Sequence, residues 1–277
     1  MVSKQHCKQS RSNPGPRRAG MKKAHRPKGK SASAKSKKVT TGVNRLDDLL
    51  NGGIPLKSAI LLYGDKFSGK DTLLNMMILA GLKQGAPGIV LTNERTSSDV
   101  RRNLQAIMSG FTVYEKKGIL KYIDAYTATV KLKGKNPFAV YVDPSKNPAE
   151  MKNGLSKVFD AFGKKYFYYR IMFDSLTPVL RKFGIDKTLG FLNLFLTKAK
   201  ANNALVIFDL TEGVHKPSEI TAIEEVMDGV IEFKTEAGRN FLRVKGFGET
   251  RTRDWVEFKH SPSKFDVTGS FALQKIA

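Results

Sequence analysis

From residue 39 onward, short unbroken apolar runs alternate with longer segments whose apolar residues recur at helical spacing. The runs at 59–63, 88–92, 119–125, 168–173 and 204–208 read as buried strands. Residues 71–83, 98–108, 149–162 and 188–201 carry the helical spacing; in 149–162, Met151, Leu155, Val158, Phe159 and Phe162 fall on one face. Strand and helix in alternation predict an α/β fold, with a mainly parallel sheet flanked by helices on both faces. From 230 to 276 the pattern alternates more closely around Gly turns, which predicts antiparallel C-terminal strands extending one edge. The segment 127–148 fits poorly. It holds Lys131, Lys133 and Lys135 and then a short apolar run, and reads as a surface insertion or hairpin, with a solvated loop the plainer alternative.

Residues 1–38 break the pattern. They are rich in Lys, Arg, Ser, Pro and Gly and almost without large apolar side chains. Such a segment cannot bury enough surface to offset its ordering entropy, so a disordered tail at 1–38 and a folded body at 39–277 are expected. The 277-residue chain has a formal net charge of +23, and 13 of its 48 basic residues but none of its 25 acidic ones fall in the tail. The tail reads as an arm that neutralises phosphates on DNA or RNA, or else as a solubilising extension with no specific partner. It has no aromatic residue on which bases could stack, so its binding would tolerate sequence.

Other classes fall away. No apolar stretch approaches the length of a membrane span, and the basic N-terminus lacks the apolar core of a secretory signal. Cys7 is the only cysteine, which excludes an internal disulfide framework or a cysteine zinc site. His6, His25, His215 and His260 show no metal-ligand spacing. A reducing cytoplasm is the expected compartment.

The strongest chemical signal is Gly64, Asp65, Lys66, Phe67, Ser68, Gly69, Lys70, a GxxxxGK loop between an expected strand and an expected helix. Glycines let the backbone wrap with its N–H groups inward, the helix N-terminus adds partial positive charge, and Lys70 reaches β/γ-phosphates. The next position of this motif ordinarily holds a Ser or Thr that ligates Mg²⁺; here it is Asp71, followed by Thr72. An Asp oxygen still binds Mg²⁺ but repels phosphate, so Asp71 favours the empty loop, and Thr72 is placed either to face the α-phosphate or to shift into the metal role. Asp174 closes the apolar strand 168–173 and is the expected metal-orienting carboxylate, with helix capping the alternative. Glu94 follows the strand 88–92 and is the candidate general base, or else a surface acid paired with Arg95, Arg101 or Arg102. Thr211 and Glu212 stand at a third strand end, where loop polarity is the plainer reading and γ-phosphate sensing by Thr211 the alternative.

Taken together, these stations resemble the KaiC/RadA branch of the RecA-superfamily ATPases. Residues 41–55 resemble the family's TG-x-x-x-LD-x-LL-x-GGIP opening, Glu94-Arg95-Thr96 its catalytic-glutamate segment, residues 173–177 its Walker B, and residues 224–231 its EE-x-x-DG-x-I strand start. The resemblance spans roughly 39–270 and implies a RecA-like core at 39–277 that binds ATP and Mg²⁺, often at the interfaces of a ring or filament. The chain departs from the family at Asp71, at Arg95 where KaiC has a second glutamate, and at Phe247 where a K-x-R-G segment carries arginine. Lys245 remains in that segment, which in KaiC-like proteins reaches a neighbouring subunit's γ-phosphate; Arg251 and Arg253 are the substitutes. The resulting expectation is an ATP-binding protein with weak Mg²⁺-dependent ATPase activity that associates with DNA as an accessory or regulatory factor. The alternative is a nucleotide-gated regulator or scaffold in which Asp71 blunts catalysis.

Overall fold

Continuous apolar strands need cover on both faces, and the computed structural model, which describes residues 37–163 and 165–270, supplies it. The elements run β1 (Lys38–Val39), α1 (Asn44–Leu49), β2 (Ile54–Pro55), β3 (Ala59–Gly64), α2 (Lys70–Lys83), β4 (Gly88–Thr92), α3 (Ser97–Ile107), α4 (Thr112–Lys116), β5 (Leu120–Asp124), α5 (Ala125–Thr129), β6 (Ala139–Tyr141), α6 (Ala149–Phe162), β7 (Tyr169–Asp174), α7 (Thr177–Ala201), β8 (Ala204–Thr211), α8 (Pro217–Glu224), β9 (Gly229–Glu236), β10 (Arg239–Gly246), β11 (Val256–Ser261) and β12 (Lys264–Val267). Among the described residues, one ten-stranded sheet has the order β12-β11-β10-β9-β3-β8-β7-β4-β5-β6. From β9 to β6 all neighbours are parallel; β9, β10, β11 and β12 pair antiparallel, as the C-terminal alternation predicts.

Side-chain alternation along each strand feeds two cores. On β3, Ile60 and Leu62 face the cluster holding Leu46 of α1, Leu73 and Met77 of α2, and Val100 and Leu104 of α3. Ala59 and Leu61 face the opposite cluster, with Met151 and Leu155 of α6, Phe191 and Phe195 of α7 and Ile223 of α8. There Phe173 packs against Phe208 at 5.2 Å and edge-on to Phe195 at 5.6 Å between ring centroids.

The expected strands and helices recur with shifts of up to three residues, joined by short elements the pattern did not show (α1, α4, α5, α8 and the β1–β2 pair), and three readings differ. α7 begins at Thr177, well before the expected 188, because Gly184 (φ 73°) leaves helical geometry inside it and interrupts the spacing. The segment 127–148 is neither hairpin nor plain loop: β6 joins the sheet edge parallel to β5, and with only three residues it shows no period. Lys38 belongs to the body, since β1 pairs with β2 and the Lys38 ammonium donates to the Leu50 carbonyl at 2.9 Å. The rest of the expected tail, 1–36, lies outside the described residues. Among the described residues no helix is long and apolar enough to cross a membrane.

The parallel registers bring several strand ends to one edge. Gly64 stands opposite Thr211, Leu62 opposite Asp209, and Thr92 opposite Asp174. This is the edge at which ligands bind in open α/β sheets.

Candidate functional site

β3 ends at Gly64 and the chain turns tightly into α2. The Ser68 amide and hydroxyl both donate to the Asp65 carbonyl, at 3.2 and 2.8 Å, which closes the turn. Asp65, Lys66 and Phe67 stand outside it, with Phe67 86% exposed. Gly69, the N-cap of α2, has φ 86°, and a Cβ there would run into the His260 ring. Glycine is therefore required twice over, by backbone conformation and by space. The Thr72 hydroxyl donates to the Ser261 carbonyl at 3.1 Å, so the β11–β12 hairpin braces the loop. No side chain caps α2, which leaves the N–H groups of its first turn as anion donors.

Lys70 turns inward. Its side chain is 2% exposed, and its ammonium meets the Asp209 carboxylate of β8 at 2.5 Å. Burial pushes Asp209 up to about 7 even though the Lys70 charge opposes the rise. Sequence reasoning missed Asp209. The available signal was a lone acid inside the apolar run Ala204–Thr211, which burial obliges to find a cationic partner.

A second cluster lies beside the first. Asp174, buried at the end of β7, accepts from Arg95 Nε at 2.6 Å and from Nη2 at 3.0 Å. The same Nη2 donates to Asp71 Oδ2 at 3.0 Å. Burial pushes the Asp174 carboxyl up while Arg95 pulls it down, with a net rise. Burial disfavours the guanidinium too, but hydrogen bonds and charges from Asp174 and Asp71 outweigh it and hold Arg95 firmly protonated. The segment carrying Arg95 is fastened in place. The Thr92 hydroxyl donates to the Arg95 carbonyl at 2.7 Å, the Asn93 amide to the Asp174 carbonyl at 3.0 Å, and the Ser175 amide to Asn93 Oδ1 at 2.6 Å.

Glu94 is not paired with any of the three arginines expected as its alternatives. Arg95 serves the aspartates, Arg101 grips the buried Glu115 at 2.7 and 2.8 Å, and Arg102 pairs with Asp99. Among the described residues Glu94 makes no hydrogen bond or ion pair, and burial, then the Asp174 charge, raises its pKa. Thr211 and Glu212 do come to the loop: the Glu212 amide donates to the Gly64 carbonyl at 3.0 Å and the Thr211 amide to the Thr177 hydroxyl at 3.0 Å. Lys245 does not join this cluster. Its ammonium pairs with Glu232 and, at 3.5 Å, with Glu224. Phe247 is buried against Gly229. Arg251 Nε donates to the Asp48 carbonyl at 2.7 Å, while Arg253 is exposed and unpaired among the described residues.

The loop, the open first turn of α2 and Lys70 fit nucleotide phosphates. The two carboxylates expected to serve Mg²⁺ do not fit that ion as they stand. Both oxygens of Asp174 and one of Asp71 already accept from Arg95.

The family model for the KaiC ATPase matches residues 39–253. A UPF0273 protein of Methanopyrus kandleri is 32% identical over 142 residues, covering 51% of this chain and 54% of that protein. One from Pyrococcus horikoshii is 35% identical over 95 residues, covering 34% of this chain and 38% of the relative. The chain thus matches about half of the first of these proteins and less of the second. The crystal structure of a KaiC-like protein from Pyrococcus horikoshii superposes with a TM-score of 0.65 at 21% identity, covering 84% of this chain and 99% of that one; it shows a shared fold. With the fold, the loop and a match across most of the body in agreement, this chain belongs to the KaiC family of ATPases, within the RecA superfamily.

Proposed function

We propose that this chain binds ATP with the backbone of residues 64–69 and Lys70 on the phosphates, and turns it over slowly. The observation that carries the reading is the β3–loop–α2 unit, with Gly69 left-handed and Lys70 directed into the crevice beside β8. On binding, Lys70 exchanges Asp209 for β/γ-phosphate oxygens, and the first-turn N–H groups of α2 supply further donors. Glu94 orients the attacking water and accepts its proton, a role suited to a partner-free carboxylate of raised pKa. Asp71 places a negative charge beside the phosphates, which weakens binding and slows turnover. The Mg²⁺ dependence implied by the family draws no support from the Asp71–Arg95–Asp174 bridge, and no part of this reading depends on a metal.

The test is ATP binding and turnover for the wild type and Lys70→Ala. Wild type is expected to bind and to hydrolyse more slowly than about one ATP per second, at the low end of enzyme turnover, while the variant binds far more weakly and does not hydrolyse. Failure of the wild type to bind removes the proposal and leaves the fold. The engagement of Asp71 by Arg95 favours a second reading, a nucleotide-gated regulator that does not hydrolyse. A large gain in turnover on Asp71→Thr supports it; no change counts against it. The basic segment preceding β1 supports association with DNA or RNA, and the family membership supports assembly into a ring or filament. Deleting the arm is expected to lower DNA affinity and flatten its salt dependence, and unchanged affinity would remove that role.

A further inference from the structure

Two departures from the family motif meet in space. Asp71 stands where a hydroxyl residue is usual, Arg95 stands where an acid is usual, and their side chains are hydrogen-bonded at 3.0 Å. Each alone would disturb the site. Asp71 without Arg95 would bring a second carboxylate towards buried Asp174, and Arg95 without Asp71 would face one carboxylate fewer. Together they offset one another. The guanidinium joins the end of β7 to the first turn of α2, the two places from which this class of fold holds its divalent ion.

We propose that Arg95 is the resident cation of this site, standing where a divalent ion would sit, so that the chain binds nucleoside di- and triphosphates without a metal. The inference rests on the nucleotide-binding reading above. Three features support it. Guanidinium does not deprotonate in proteins, and its fork matches carboxylate and phosphate alike, so it is a permanent local charge. Nε and Nη2 serve the aspartates, while Nη1 has no hydrogen-bond partner among the described residues and retains two N–H groups for a phosphate oxygen. The fastened segment Thr92–Arg95 holds the group in place before any ligand arrives. One charge in place of two also accounts for slow chemistry, since a guanidinium donates hydrogen bonds but does not polarise phosphate as a metal does.

The experiment is equilibrium binding of fluorescent ATP and ADP analogues to the full chain, in EDTA and in excess Mg²⁺. The wild-type Kd is expected to agree between the two conditions within about threefold. In the double variant Asp71→Thr/Arg95→Glu, which restores the family's residue types, removing Mg²⁺ is expected to weaken binding by about tenfold or more. Arg95→Lys keeps the charge but not the fork; it is expected to bind more weakly, still without a metal requirement. Wild-type binding that Mg²⁺ strengthens by about tenfold or more overturns the assignment and leaves the nucleotide reading intact. No wild-type binding in either condition overturns both.

Discussion

The two ion clusters at the head of α2 differ in depth and in composition. Lys70 and Asp209 are almost wholly enclosed and make a single short contact. Arg95 spreads three contacts over two aspartates, with Asp174 enclosed and Asp71 39% exposed. On the proposed reading the first is a stored interaction, which a bound nucleotide weakens by drawing Lys70 towards its phosphates. The second does not need breaking: Arg95 keeps its aspartates and still has Nη1 to offer. The proposal thus gives one cluster the cost of opening the site and the other the field a phosphate would meet there.

The largest expected effect separates these roles. Lys70→Ala is expected to weaken ATP binding by about a hundredfold or more, read by calorimetric titration, since a charge-assisted phosphate contact is lost. Arg95→Ala acts first on stability. It strands the buried Asp174 carboxylate, and a loss of about 2–3 kcal/mol is expected in urea unfolding, because removing one partner leaves an uncompensated charge. Next is pH. Protonating Asp209 releases Lys70, so affinity is expected to rise as pH falls through about 7. Asp209→Asn is expected to bind more tightly at pH 8 and to lose that dependence. The nucleotide's own titration is common to both proteins, so their difference isolates Asp209. Smallest is Asp71→Ala in the absence of ligand, where the partly exposed contact is worth about 1 kcal/mol or less in the same unfolding measurement.

The loop was legible because its chemistry is local: seven consecutive residues between an apolar run and a helical one specify the turn, the cap and the lysine. Asp174 was legible because it ends a buried strand. Arg95 was visible as a departure, but its partners lie 24 and 79 residues away, and local reading offered it, like Arg101 and Arg102, only as a partner for Glu94. Asp209 was hidden in the middle of an apolar run, and its role emerges only when β8 is laid beside β3. The same limit shaped the fold. Strands with long apolar runs declared themselves, whereas β6 joins the sheet through pairing with β5 and α7 hides its first turns behind Gly184.

The most direct test is a structure of the chain with a non-hydrolysable ATP analogue bound. The account expects the phosphates against residues 64–70, Lys70 Nζ withdrawn from Asp209 and within hydrogen-bond distance of a β- or γ-oxygen, and Arg95 still joining Asp174 to Asp71. Lys70 remaining on Asp209 with the nucleotide seated elsewhere would contradict it.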